Sequence, residues 1–76
     1  MSLKLPRITS GEVIRALKKA GFVEWRQKGS HLHLKRLSDN TRVTIPVHRG
    51  RTIPPGTLRG IIRDAGLTVE EFVDLL

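Results

Sequence analysis

Three histidines, His31, His33 and His48, are the side chains of this sequence best suited to proton transfer. Imidazole has an ordinary pKa near 6.5, so it can take or give a proton around neutral pH. His31 and His33 stand two residues apart in a stretch of strand-like alternation, which projects both from one face. A His-x-His pair of this kind can hold a metal with His48 as a third ligand, can share acid-base work, or can be two exposed strand residues without a role. Sites that hydrolyse phosphodiesters through hard cations recruit carboxylates, and the nearest acids, Glu24 and Asp39, show no ligand spacing. The expectation is therefore no metal and no cofactor. The chain has no cysteine, which excludes thiol nucleophiles, disulfides and Cys-based zinc or iron-sulfur sites. It also lacks a phosphate-cradling G-x-x-x-x-G-K motif and paired carboxylates suited to glycosidic cleavage.

The elements that must position these residues are marked by capping residues, glycines and prolines. Thr9-Ser10-Gly11-Glu12 has the spacing of a capping box, and Val13, Ile14, Leu17 and Ala20 follow at helical intervals up to Gly21. Gly21 suits a left-handed cap, with Phe22 packing back on the last turn. Phe22 to Gln27, His31 to Leu37 and Thr41 to Val47 read as three strands of an antiparallel meander, joined by Lys28-Gly29-Ser30 and Ser38-Asp39-Asn40. Leu32 and Leu34 share one face of the second strand, while His31, His33 and Lys35 share the other. Val43, Ile45 and Val47 oppose Arg42 and Thr44 in the same way. One sheet face is thus apolar and one basic. His48 to Gly56, with Arg49, Gly50, Arg51, Pro54 and Pro55, suits a loop. Leu58, Ile61, Ile62 and Ala65 predict a second helix from Pro55 or Gly56 to Ala65, with Arg59 and Arg63 on its other face. Thr68-Val69-Glu70-Glu71 opens a short acidic helix carrying Val69, Phe72 and Leu76.

With 76 residues, 38% of them hydrophobic, the chain supports one small domain spanning 1–76. Large clefts are not expected at this size. The segment Met1 to Pro6 has no apolar run of signal-peptide length and no stretch is long enough to cross a bilayer, so a cytoplasmic protein without membrane contact is expected. Charge is more specific. Residues 1–63 hold all 14 Lys and Arg against Glu12, Glu24 and Asp39, a net +11, whereas residues 64–76 hold four acids and no base, a net −4. A basic body with an acidic tail is the footprint of a nucleic-acid binder, because neutralising phosphates releases counterions; solubility alone is the plainer explanation.

An α-β-β-β-α order with a basic face resembles the double-stranded-RNA-binding fold, an α+β domain with a three-stranded antiparallel sheet, helices on one face and here a short C-terminal helix. The residues resemble a narrower group. Gly21-Phe22, Arg26-Gln27-Lys28-Gly29-Ser30-His31, Ile45-Pro46-Val47-His48, Pro55-Gly56-Thr57-Leu58-Arg59, Ile62 and Ala65-Gly66-Leu67, in that order, are similar to the HicA toxin family. The resemblance implies a toxin of a toxin-antitoxin pair, an endoribonuclease (mRNA interferase) that cleaves mRNA with the histidine of Gly-Ser-His and is held inactive by a HicB-like antitoxin. Carried to this sequence, it selects His31 over His33 as the general acid or base. Arg26 and Lys28 would then neutralise the scissile phosphate, Gly29 would allow close backbone approach, and Ser30 would either donate to a phosphate oxygen or simply form the turn. Lys35, Arg42, Arg49 and Arg51 would track further phosphates, and His48 would contact RNA beside them or end the third strand.

Two other classes fit the same charge. A non-catalytic double-stranded-RNA-binding module would use Lys28, Lys35, Arg42, Arg59 and Arg63, and a docking protein would use the basic face for an acidic partner. Of the aromatics, Trp25 is expected in the core rather than as a base-stacking platform, because it shares a strand face with Val23.

Overall fold

Thr9 opens the first helix, α1 (Ser10–Lys19), as the T-x-x-E spacing requires. Its Oγ1 accepts from the Glu12 backbone N–H at 3.3 Å, and Glu12 Oε1 accepts from the Thr9 N–H at 3.1 Å. Each partner thereby satisfies a donor that the helix end leaves free. The computed structural model describes residues 5–76, so most of the Met1 to Pro6 segment lies outside the described residues. Helix α1 buries Val13, Ala16 and Leu17 and stops at Gly21, whose φ of +95° is left-handed.

Three strands follow, β1 (Phe22–Lys28), β2 (His31–Arg36) and β3 (Thr41–Pro46), forming one antiparallel sheet in the order β1-β2-β3. The expected meander is observed, with strand ends shifted by one residue. Leu37, read as strand, lies in the β2–β3 loop with 69% of its surface exposed. The chain turns at Arg36 because its carbonyl accepts from the Asn40 N–H at 2.8 Å and its guanidinium grips both oxygens of Asp39, at 3.0 and 2.8 Å. Hydrogen bonds from Arg36 and then Thr41 hold the Asp39 carboxyl well below the usual carboxylate range. The Arg36 guanidinium also lies 4.9 Å from the centroid of the Phe22 ring.

Leu32, Leu34, Val43 and Ile45 point to one side of the sheet, where they are buried with Phe22 against the helices. The second helix, α2 (Pro55–Asp64), contributes Leu58, Ile61 and Ile62, and the third, α3 (Val69–Asp74), contributes Phe72 behind a second capping box, Thr68 with Glu71. Both helices start where the sequence predicts. Leu76 falls beyond α3 and is half exposed. A clasp between distant segments was not legible in the sequence. Thr9 bridges Thr52, the Ile53 N–H donates to the Ile8 carbonyl at 2.9 Å, and both isoleucines are buried. The β3–α2 loop is thereby held against the residues that precede α1. No helix among the described residues is long and apolar enough to cross a membrane.

Candidate active site

The side of the sheet facing away from the helices carries the candidate residues, and two backbone devices arrange them. The first is the β1–β2 turn. Lys28 and His31 are directly paired, leaving Gly29 and Ser30 as a two-residue loop. Gly29 has a φ of +58° and Ser30 does not have a positive φ, the pattern of a type II′ hairpin with glycine first. Gln27 Nε2 donates to the Gly29 carbonyl at 3.2 Å, and the Val47 N–H donates to the Ser30 carbonyl at 2.6 Å. His31 therefore begins β2 between Lys28 on one neighbour strand and Pro46 on the other, with its side chain exposed.

The second device is a bulge. Seven residues of β1 lie against six of β2, with a register shift between Glu24 and Arg26. Val23 pairs with Lys35, Glu24 with Leu34, Arg26 with His33 and Lys28 with His31, so Trp25 is the extra residue. Directly opposed residues share a face. Strict alternation would have put Arg26 and Lys28 on the side opposite Val23 and Trp25. The bulge instead gathers Val23, Trp25, Arg26 and Lys28 on the face of His31, His33 and Lys35. Glu24 stays on the helical side, where it pairs with Lys18 at 2.6 Å.

This geometry corrects the placement of Trp25. It is not in the core but 43% exposed on the open face. Its ring lies 6.3 Å from that of His33, tilted by 59°, with Lys35 Nζ 5.9 Å and Arg42 Cζ 5.2 Å from its centroid. The sequence did place it correctly beside Val23; what it missed is that β1 turns that pair outward.

Of the predicted residues, Arg26, Lys28, Gly29, Ser30 and His31 come together at the hairpin end of the sheet. Lys35 and Arg42, paired across β2 and β3, sit about four residues further along, near Trp25. His48, Arg49 and Arg51 are exposed in the next loop, where the Arg51 N–H donates to the His48 carbonyl at 3.2 Å around Gly50. The bond from Val47 to Ser30 anchors this loop at the same end of the sheet as His31. The ion pairs found among the described residues use Lys18, Arg36 and Arg63 and none of Arg26, Lys28, Lys35, Arg42, Arg49 and Arg51, although Lys35 and Arg42 lie over Trp25. His33 Nδ1 and Thr44 Oγ1 are 3.0 Å apart, a cross-strand contact that fixes the ring and that only the β2–β3 register could reveal. Among the described residues no three His, Cys, Asp or Glu side chains converge as ligands. A hollow of about 450 Å³ lies elsewhere, lined by Arg59, Ile62, Arg63, Leu67, Thr68 and Val69 of the α2–α3 region, and no sheet residue borders it.

An exposed imidazole beside uncommitted cations and a glycine turn can exchange protons with a bound anion while its charge is neutralised. No curated protein matches the chain. A family model described as the HicA toxin of bacterial toxin-antitoxin systems matches residues 10–67, from the first residue of α1 to just past α2.

Proposed function

The chain belongs to the HicA toxin family of bacterial toxin-antitoxin systems, and from that premise we propose that it is an endoribonuclease that cleaves mRNA through His31, without a metal. The observation that carries this reading is the β1 bulge, which turns Arg26 onto the face of His31 and leaves Lys28 paired directly with it. In this scheme His31 takes the proton of an RNA 2′-hydroxyl as the 2′-oxygen attacks the adjacent phosphorus. The bond to the 5′-oxygen breaks, that oxygen receives a proton, and a 2′,3′-cyclic phosphate and a 5′-hydroxyl result. Arg26 and Lys28 offset the charge that grows on the phosphoryl oxygens, and the Gly29-Ser30 turn presents little bulk to the backbone that approaches it. Lys35, Arg42, Arg49 and Arg51 track neighbouring phosphates. A HicB-like antitoxin with acidic residues would cover the same face in the cytoplasm and block His31, since opposite potentials speed association.

His33 supplies a second imidazole on this face, and its contact with Thr44 favours it as the complementary proton donor or acceptor. The two histidines are two strand residues apart, roughly 7 Å along β2.

The test is cleavage of an mRNA fragment by the purified protein. His31→Ala should lower the rate by roughly 10² to 10⁴ fold with the fold intact. A 2′-deoxy substitution at the cut position should abolish cleavage, and EDTA should leave it unchanged. RNA binding with full activity in the His31 variant would remove the assignment. Binding with no cleavage by the wild type would favour the duplex-binding module. Cleavage of the deoxy substrate, lost in EDTA, would point to a metal held by His31 and His33.

A further inference from the structure

Trp25 has no part in the proton transfers proposed above, yet the bulge that recruits Arg26 also presents this ring to solvent. It is the only tryptophan of the chain, it has no partner residue on β2, and 43% of its surface is exposed. Its neighbours are chemically consistent. Lys35 and Arg42 place cations 5.9 and 5.2 Å from the ring centroid, and the His33 ring lies 6.3 Å away. His31 projects from the same face two residues along β2 from His33.

We infer that Trp25 is a stacking platform for one unpaired RNA base, within a nucleotide or two of the phosphodiester at His31. The inference rests on the RNA-cleaving reading and adds to it that the substrate is single-stranded at this position. Lys35 and Arg42 lie over the exposed indole, so an incoming base stacks on the ring in their place and the displaced cations take its phosphates, which matches both parts of a nucleotide. Every base has a π-face, so such a contact holds RNA without reading its sequence. A base inside a duplex already has its faces stacked and its edge paired, and it cannot reach a ring lying on a sheet. The fold resembles that of duplex binders, but this face selects a strand whose bases are free. The competing role for Trp25 is structural, with the cation–π contacts merely fastening β1 to β2 and β3.

The sole tryptophan makes the experiment direct. The His31→Ala protein is titrated with an end-labelled single-stranded RNA oligonucleotide, following anisotropy of the label and emission of Trp25 together. The oligonucleotide should bind and change the indole emission, while a blunt duplex of the same sequence should leave the emission unmoved. In the same background, Trp25→Leu should weaken single-strand binding by roughly 5- to 150-fold, and Trp25→Phe by much less. An oligonucleotide scanned with abasic positions separates stacking from sheet stability. At one position the abasic substitution should erase the penalty of Trp25→Leu. If Trp25→Leu instead weakens intact and abasic strands alike, the ring is structural and the inference fails. Tight binding of single strands with unmoved emission would also overturn it while leaving the RNA reading in place. Emission that responds only to a protein partner would identify Trp25 as a docking anchor and reject the base contact. Absence of binding to any RNA would reject both the inference and the reading beneath it.

Discussion

Deleting Trp25 outright should leave the domain folded, because the bulge makes this residue supernumerary. The six remaining residues of β1 would then lie against the six of β2 in regular alternation. Phe22 would stay opposite Arg36, Glu24 opposite Leu34, Arg26 opposite His33 and Lys28 opposite His31, the pairs already present. What is lost is the contact of the ring with Lys35 and Arg42. Cation–π pairs at exposed sites contribute about 0.5–1 kcal/mol each, so the deletion should cost about 1–2 kcal/mol. For a domain of this length that lowers Tm by roughly 4–16 °C. Deleting Gln27 removes the same number of residues with a different result. Relaxing the bulge would then bring Trp25 opposite His33 and Arg26 opposite Leu32, on the helical side, and would remove the Gln27–Gly29 hydrogen bond. Circular dichroism melts measure the stability of both variants, and cross-strand nuclear Overhauser contacts of Arg26 read the register. The expected contacts are with His33 after deletion of Trp25 and with Leu32 after deletion of Gln27. An unfolded Trp25-deleted protein, or Arg26 facing Leu32 within it, would refute the assignment of Trp25 as the extra residue.

Gly29→Ala should destabilise the hairpin by about 1–2 kcal/mol through backbone strain alone, because φ is +58° and an added Cβ would meet nothing within 4 Å; an unchanged Tm would contradict that account. Thr9→Ala should cost about 1 kcal/mol by uncapping α1, read as a lower urea midpoint at constant slope. Asp39→Asn should alter the acid side of the stability profile. The Asp39 carboxyl titrates lower in the folded protein than in the unfolded chain, so its contribution is complete above about pH 4 and fades as pH falls through the folded value. Wild type and variant should therefore differ in Tm at neutral pH and converge in strong acid, whereas parallel curves would count against the Arg36–Asp39 contact as the cause.

The helices were legible because their signals are local. Thr9 with Glu12 and Thr68 with Glu71 form both capping boxes, and Gly21 and Gly66 take the left-handed conformation that ends a helix. Strands β2 and β3 were legible because each has one buried face, so Leu32, Leu34, Val43 and Ile45 reveal the alternation. Strand β1 has no such record. Only Phe22 is buried, and the six residues after it are exposed whichever way they point, so a shift of one residue leaves no mark in the hydropathy pattern. That is why resemblance picks out Arg26 and Lys28 without placing them on a face, and why alternation alone puts Trp25 in the core rather than on the open face. The contact of His33 with Thr44 and the Thr9–Thr52 bridge depend on residues 11 and 43 positions apart, which no local pattern encodes.

The bulge also bears on how the domain behaves in a crowd of its own copies. Among the described residues the strand order leaves the outer edges of β1 and β3 without a neighbour, and an unpaired edge is a template for intermolecular β-addition and fibril growth. Along β1 the extra residue breaks the repeat that an incoming strand would have to follow, and Glu24, Arg26 and Lys28 add charge to it. Along β3 the final residue, Pro46, has no N–H to offer and Arg42 brings like charge to any second copy. Straightening β1 would restore a flat six-residue ledge, so a protein without Trp25 should aggregate at lower concentrations than the wild type even where its melting temperature is still ample.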